Sequence, residues 1–354
     1  MSYRKLALII FFCAAVLLAM HGLGVTNLFA HNLRLELNAG IANRIAANDG
    51  DSDSEHIRWI DFDIPHALLA QAMDIDINSQ NTDTPLCWIT LLAYSAAKNW
   101  GNFPARGDCK HINDLAKKLS AGECIMEITA DLRLFNFYLK AYGAILGNML
   151  GIYEIEIPDP DNPDATIIQR RYGLRAFSPI AKNYHYHHSD DFGNPRDYGY
   201  RRRHLGHDFF GAIGTPIIAV EDGIIEAMGW NQYGGWRIGI RSLDGRRYHY
   251  FAHLRRDHPF AADLAIGQTV RAGDVIGYLG RTGYSRRENV DNIREPHLHY
   301  GLQIIFTESQ KDGRNQIWID TYQIVRLLNK NRMPVIRAGN EYTRAIQTNS
   351  SPMD

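Results

Sequence analysis

Two short segments carry the residue types from which a metal centre is built. Arg203-His204-Leu205-Gly206-His207-Asp208 sets His204 and Asp208 in an H-x-x-x-D pattern. Some ninety residues later, Pro296-His297-Leu298-His299-Tyr300 sets His297 and His299 in an H-x-H pattern. In a β-strand, residues i and i+2 face the same way, so both imidazoles of the second segment would look into one groove. A catalytic zinc ion takes three protein ligands and leaves a position open. His204, Asp208 and one histidine of the H-x-H pair supply three, and the other histidine can then face water or substrate. Each half alone is a weak signal. H-x-H recurs at His185 and His187, and a lone His near an Asp is ordinarily a surface pair.

The elements around these segments read as short strands. Val220–Met228, Trp236–Arg241, Arg247–Ala252 and Val275–Leu279 are rich in β-branched or aromatic residues. Asp222-Gly223, Gly234-Gly235 and Asp244-Gly245 supply turns between them, a pattern that predicts an antiparallel sheet or barrel. Ala265–Gly273 reads as a turn before a strand. Tyr184-His185-Tyr186-His187-His188 through Asp191 is dense in potential ligands; it reads as a polar hairpin at the groove entrance, with a second metal site as the alternative.

Taken together, the stretch from about Ser178 to Ile305 resembles the lysostaphin-type zinc metallopeptidases, the LytM-domain family of cell-wall endopeptidases. The phrases that carry the resemblance stand in the family's order. Asp191-Phe192-Gly193-Asn194-Pro195-Arg196 leads to His204-x-Gly206-x-Asp208-Phe209. Then come Gly214-Thr215-Pro216-Ile217, Phe251-Ala252-His253-Leu254, Gly267-Gln268-x-Val270-x-Ala272-Gly273, Gly280-x-Thr282-Gly283 and His297-Leu298-His299. The resemblance implies that His204, Asp208 and His299 ligate one zinc ion. It implies that His253 and His297 are nonligating catalytic histidines, and that the substrate is the peptide part of peptidoglycan. A noncatalytic envelope scaffold, or an activator of another wall hydrolase, is the alternative, as is a zinc amidase or carboxypeptidase of similar architecture. The polar segment 284–295 is longer than in typical relatives and is expected to border the groove. His249 and His258 lack a family match and read as packing or surface residues.

The rest of the chain frames this domain. The 354 residues carry a net charge of -1, with 45% hydrophobic and 22% charged residues. That is an ordinary globular composition with no basic tract pointing to nucleic acid. Arg4 and Lys5 precede an apolar run from Leu6 to Met20, so residues 1–30 read as a signal-anchor or signal peptide. The expectation is a protein of the bacterial cell envelope, held at the cytoplasmic membrane with its bulk outside, or secreted if the segment is cleaved. Residues 31–55 read as a polar linker, 56–155 as a helical domain of unknown role, and 156–176 as a second linker. The metallopeptidase-like domain is expected over 177–306, a C-terminal helix within 307–336 and a loose tail over 337–354. Within the helical domain, Leu132–Leu150 reads as one long amphipathic helix. Asp320 and Gln323 are spaced for a capping box ahead of the C-terminal helix. The expected class is α+β. Of four cysteines, Cys109 and Cys124 could pair in an oxidising compartment, with Cys13 in the apolar run and Cys87 left over.

Overall fold

One strand organises the described residues. The computed structural model describes residues 62–103, 110–162, 165–197, 201–311, 316–346 and 348–350. The signal segment, the first linker and Cys109 lie outside them. Among the described residues no helix is long and apolar enough to cross a membrane.

Five helices come first: α1 His66–Ser79, α2 Trp88–Asn99, α3 Lys110–Ser120, α4 Ile125–Thr129 and α5 Phe135–Leu146. They are followed by the hairpin β1 Leu150–Pro158 and β2 Thr166–Leu174. Then come β3 Tyr186–His187, β4 Pro195–Arg196, β5 Arg202–Arg203, β6 His207–Gly211, β7 Pro216–Ile218, β8 Gly223–Asn231, β9 Gly235–Ser242, β10 Arg247–Ala252, β11 Thr269–Val270, β12 Val275–Tyr278 and β13 His297–Ile304. The chain closes with β14 Ile317–Ile319, helix α6 Tyr322–Leu328, and strands β15 Val335–Ala338, β16 Glu341–Arg344 and β17 Thr348–Ser350. The fold is α+β.

The large sheet runs β11-β8-β9-β10-β13-β6-β3, with β14 also pairing with β13, and every pairing is antiparallel. Strand β13 therefore sits between β10 and β6. Its even residues Leu298, Tyr300 and Leu302 are fully buried and share one face of the sheet, as the two-residue period of a strand requires. On β10 the same face holds Arg247, His249 and Phe251, all buried. Arg247 Nη1 donates to the Ala144 carbonyl in α5, 2.8 Å away, so the helices cover this face. Helix and sheet side chains share one hydrophobic core, from Leu68, Leu92 and Ile145 to Phe251 and Leu298. The opposite face is left for the histidines.

Several expected elements differ. The stretch read as a linker over 156–176 is mostly strand, because the Pro/Asp-rich run from 158 is only the turn of the β1–β2 hairpin, closed by Asp159 N–H to the Ala165 carbonyl. The helix expected over 132–150 is shorter, Phe135–Leu146, and it stops where Gly147 turns out of the helical region at ψ 145°. The C-terminal region holds a strand as well as a helix, and residues read as a loose tail form the β15–β16 hairpin with a third strand, β17, pairing with β1. The capping box at Asp320 does not form. Asp320 Oδ1 accepts from Tyr322 N–H, while Gln323 Oε1 accepts from His66 N–H and ties α6 to the start of α1.

Candidate metal centre

Register alone brings the first ligand pair together. His299 on β13 stands directly opposite Asp208 on β6, and directly opposite residues in antiparallel strands hold their Cβ atoms about 5 Å apart. His204 lies on the turn into β6, with its backbone N–H donating to the Asn194 carbonyl. Gly206 makes the approach possible: a Cβ there would fall 2.5 Å from His299 Cε1 and 2.8 Å from the Tyr300 carbonyl.

The result is a triangle of donor atoms. His204 Nε2 is 2.9 Å from His299 Nδ1 and 3.0 Å from Asp208 Oδ1, and His299 Nδ1 is 3.0 Å from the same oxygen. Tetrahedral ligation at about 2.0–2.1 Å needs donor separations of roughly 3.3 Å. The triangle is thus only slightly tighter than a zinc ion requires. Among the described residues this trio is the group that could hold a metal.

The surroundings set the trio's protonation. His204 Nδ1 lies 3.0 Å from Asp191 Oδ2; as an N–H donor there, it turns the lone pair of the neutral ring onto Nε2, the atom in the triangle. Such carboxylate–histidine pairs orient metal ligands. Burial opposes charge on His204, but Asp191 and Asp208 raise its pKa to about 9. Burial likewise opposes ionisation of Asp208, yet hydrogen bonds from His204 and His299 hold its pKa well below the carboxylate range. Burial lowers the pKa of His299. A divalent ion would take the place of the shared protons among these atoms.

The two further histidines stand beside the trio. The His253 ring centroid is 4.8 Å from that of His297 and 5.9 Å from that of His299. His297 Nε2 is 3.9 Å from Asp208 Oδ1. Each Nδ1 is anchored on a backbone carbonyl, His253 on Thr282 at 2.9 Å and His297 on Glu295 at 2.8 Å. If both Nδ1 atoms donate, both Nε2 atoms carry the lone pair. Burial holds the pKa of His253 well below the usual imidazole value, which keeps it neutral near pH 7. His253 also sits at φ 63°, a conformation uncommon outside glycine and one that clusters at functional sites.

All five expected site residues thus converge. The H-x-H copy at His185 and His187 does not join them: His187 stacks on Phe210, and His188 Nδ1 meets His207 Nε2 at 2.7 Å. His249 is buried, bonded to Glu221 and the Tyr300 hydroxyl, and His258 stacks on Tyr278, so both pack. Two residues of the site were not singled out by sequence. Asp191 orients His204, and Arg196 Nη2 bridges Asp191 and Asp208 at 2.8 and 3.2 Å. Their spacing from His204 carries no periodicity, and only the motif at 191–196 marked the stretch.

The region that holds the site is similar to known proteins. Residues 202–314 match the model of peptidase family M23. An L-Ala–D-Glu endopeptidase of Bacillus subtilis (strain 168) is 39% identical over 155 residues, 44% of this chain and 44% of the relative. Lysostaphin of Staphylococcus simulans is 39% identical over 98 residues, 27% of this chain and 17% of the relative. The matches span less than half the length of these relatives. A Ruminococcus gnavus protein crystallised as a candidate LytM-type glycyl-glycine endopeptidase superposes with a TM-score of 0.52 at 18% identity, over 84% of this chain and 98% of that one; the likeness concerns fold alone. The chain carries a peptidase family M23 domain, of the LytM type.

Proposed function

We propose that this chain is a zinc-dependent endopeptidase that hydrolyses peptide bonds in bacterial peptidoglycan. The observation that carries the reading is the 2.9–3.0 Å triangle of His204 Nε2, Asp208 Oδ1 and His299 Nδ1 with His253 and His297 beside it. One zinc ion held there supplies Lewis acidity, making water nucleophilic near neutral pH and polarising the scissile carbonyl. The single Asp208 carboxylate leaves such a centre net positive, suited to a developing oxyanion. His253 and His297, anchored through Nδ1, each have Nε2 to move a proton: one accepts it from water and one delivers it to the leaving amine. His297 opens β13, His253 directly follows β10, and the two Nδ1 hydrogen bonds fix both rings.

The relatives' names support a peptidoglycan substrate. The L-Ala–D-Glu bond named for the B. subtilis relative is the first to test. The apolar run near the N-terminus supports a location at the cytoplasmic membrane with the bulk outside. Peptidoglycan digested with zinc-loaded protein should yield muropeptides with new internal peptide termini, read by mass spectrometry. Freed lactyl groups would mean an amidase, and no product at all would contradict the enzymatic reading.

A further inference from the structure

The segment that departs from the family pattern reaches the site through its first residue. Tyr284, at φ 48°, sets its ring edge-on to His253, with centroids 5.7 Å apart. The loop is tied down: Tyr284 N–H donates to the Tyr233 carbonyl at 3.3 Å, Ser285 N–H to the Gln232 carbonyl at 2.9 Å, and Asn292 Nδ2 to the Tyr284 carbonyl at 2.6 Å. Tyr233 belongs to the β8–β9 turn, so two separate loops form a single wall.

Arg202 on β5 is set against that wall. Its guanidinium carbon lies 5.3 Å from the Tyr233 ring centroid and 5.4 Å from that of Tyr284, and Nη2 is 3.2 Å from the Tyr284 hydroxyl. Contact with two rings fixes the plane of a planar cation that otherwise loses rotamer entropy on binding. The side chain is half-buried. Steps of 5.4 and 5.7 Å through Tyr284 place the guanidinium no more than about 11 Å from the His253 ring. An extended peptide advances about 3.3–3.6 Å per residue, so Arg202 lies within roughly three residues of the bond being cut.

We propose that Arg202, oriented by Tyr233 and Tyr284, is a specificity-determining residue that takes a carboxylate of the substrate peptide close to the scissile bond. The ligand class is an acidic peptide, the carboxylate being on a side chain or at the chain terminus. A guanidinium donates paired parallel N–H bonds that match a carboxylate and not a neutral amide. The inference rests on the reading of the groove as a peptide site.

The test uses the full zinc-loaded chain and three otherwise identical wall-type peptides: one fully acidic, one amidated at the side-chain carboxylate, and one amidated at the C-terminus. One of the two amidated peptides should lose about ten- to hundredfold in kcat/KM, the size of a charge-assisted bond, and which one identifies the carboxylate. Arg202→Gln should collapse that ratio towards one while retaining zinc, and Arg202→Lys should restore only part of it. An equal rate on all three peptides, or an undiminished ratio in Arg202→Gln, would overturn the proposal. Affinities of the same peptides for the His297→Ala variant separate the two readings. If no peptide is cut, the proposed activity fails, and the affinity ratio with and without Arg202→Gln still decides the role of Arg202.

Discussion

Arg247→Met should be among the most destabilising substitutions in the sheet. Arg247 is 0% exposed and Glu221 6%. The guanidinium meets Glu221 at 2.6 and 3.1 Å, Asp244 at 2.8 Å and the Ala144 carbonyl at 2.8 Å. Removing it strands the Glu221 carboxylate with His249 as its remaining partner, and orphans a helix carbonyl. Breaking a buried pair this way costs about 3–5 kcal/mol, a fall in unfolding midpoint of roughly 4–7 °C for a chain of this size. The double variant Arg247→Met/Glu221→Gln removes both charges and should cost less than the two single changes summed, by roughly 1 kcal/mol or more. The pH dependence follows from the same pair. Burial alone would raise the pKa of Glu221, but Arg247 and His249 hold it down at about 2. Its stabilisation is therefore full above the unfolded value near 4.5 and is lost as pH falls towards 2. Denaturant melts of the three variants at pH 7 and pH 3 measure all of this. A single-variant loss below about 1 kcal/mol, or strict additivity in the double variant, would refute the reasoning.

Three further outcomes follow from the site. Gly206→Ala pushes a methyl group into the His299 ring and the Tyr300 carbonyl, and should weaken zinc retention in equilibrium dialysis without unfolding the domain by circular dichroism. Asp191→Asn removes the carboxylate that orients His204 and should lower zinc affinity by about 10–100-fold, read by competition with a chromogenic chelator. His253→Ala and His297→Ala should each keep zinc and lose about 10² or more in turnover; unchanged cleavage by both would remove them from the proton pathway.

The site was legible because its signals are local. H-x-H on an apolar strand fixes two rings on one face, and β10 lies where its aromatic alternation placed it, at Arg247–Ala252. The facing of His299 by Asp208 is a matter of register between distant strands, which only the family likeness supplied. The β1–β2 hairpin was hidden by exposed polar residues such as Gln169, Arg170 and Arg171, which blur the two-residue period. The β15–β16 hairpin had a usable signal, Gly339-Asn340 between the paired Ala338 and Glu341, a dipeptide suited to a two-residue turn. The clamp of Arg202 by Tyr233 and Tyr284 had none, because it joins a short strand to two loops far from it in sequence.

The most direct measurement is the anomalous zinc signal in crystals of the zinc-loaded protein. The account predicts one peak per chain within about 2.0–2.2 Å of His204 Nε2, Asp208 Oδ1 and His299 Nδ1. A peak at the His188–His207 pair, or no ordered zinc near Asp208, would contradict it.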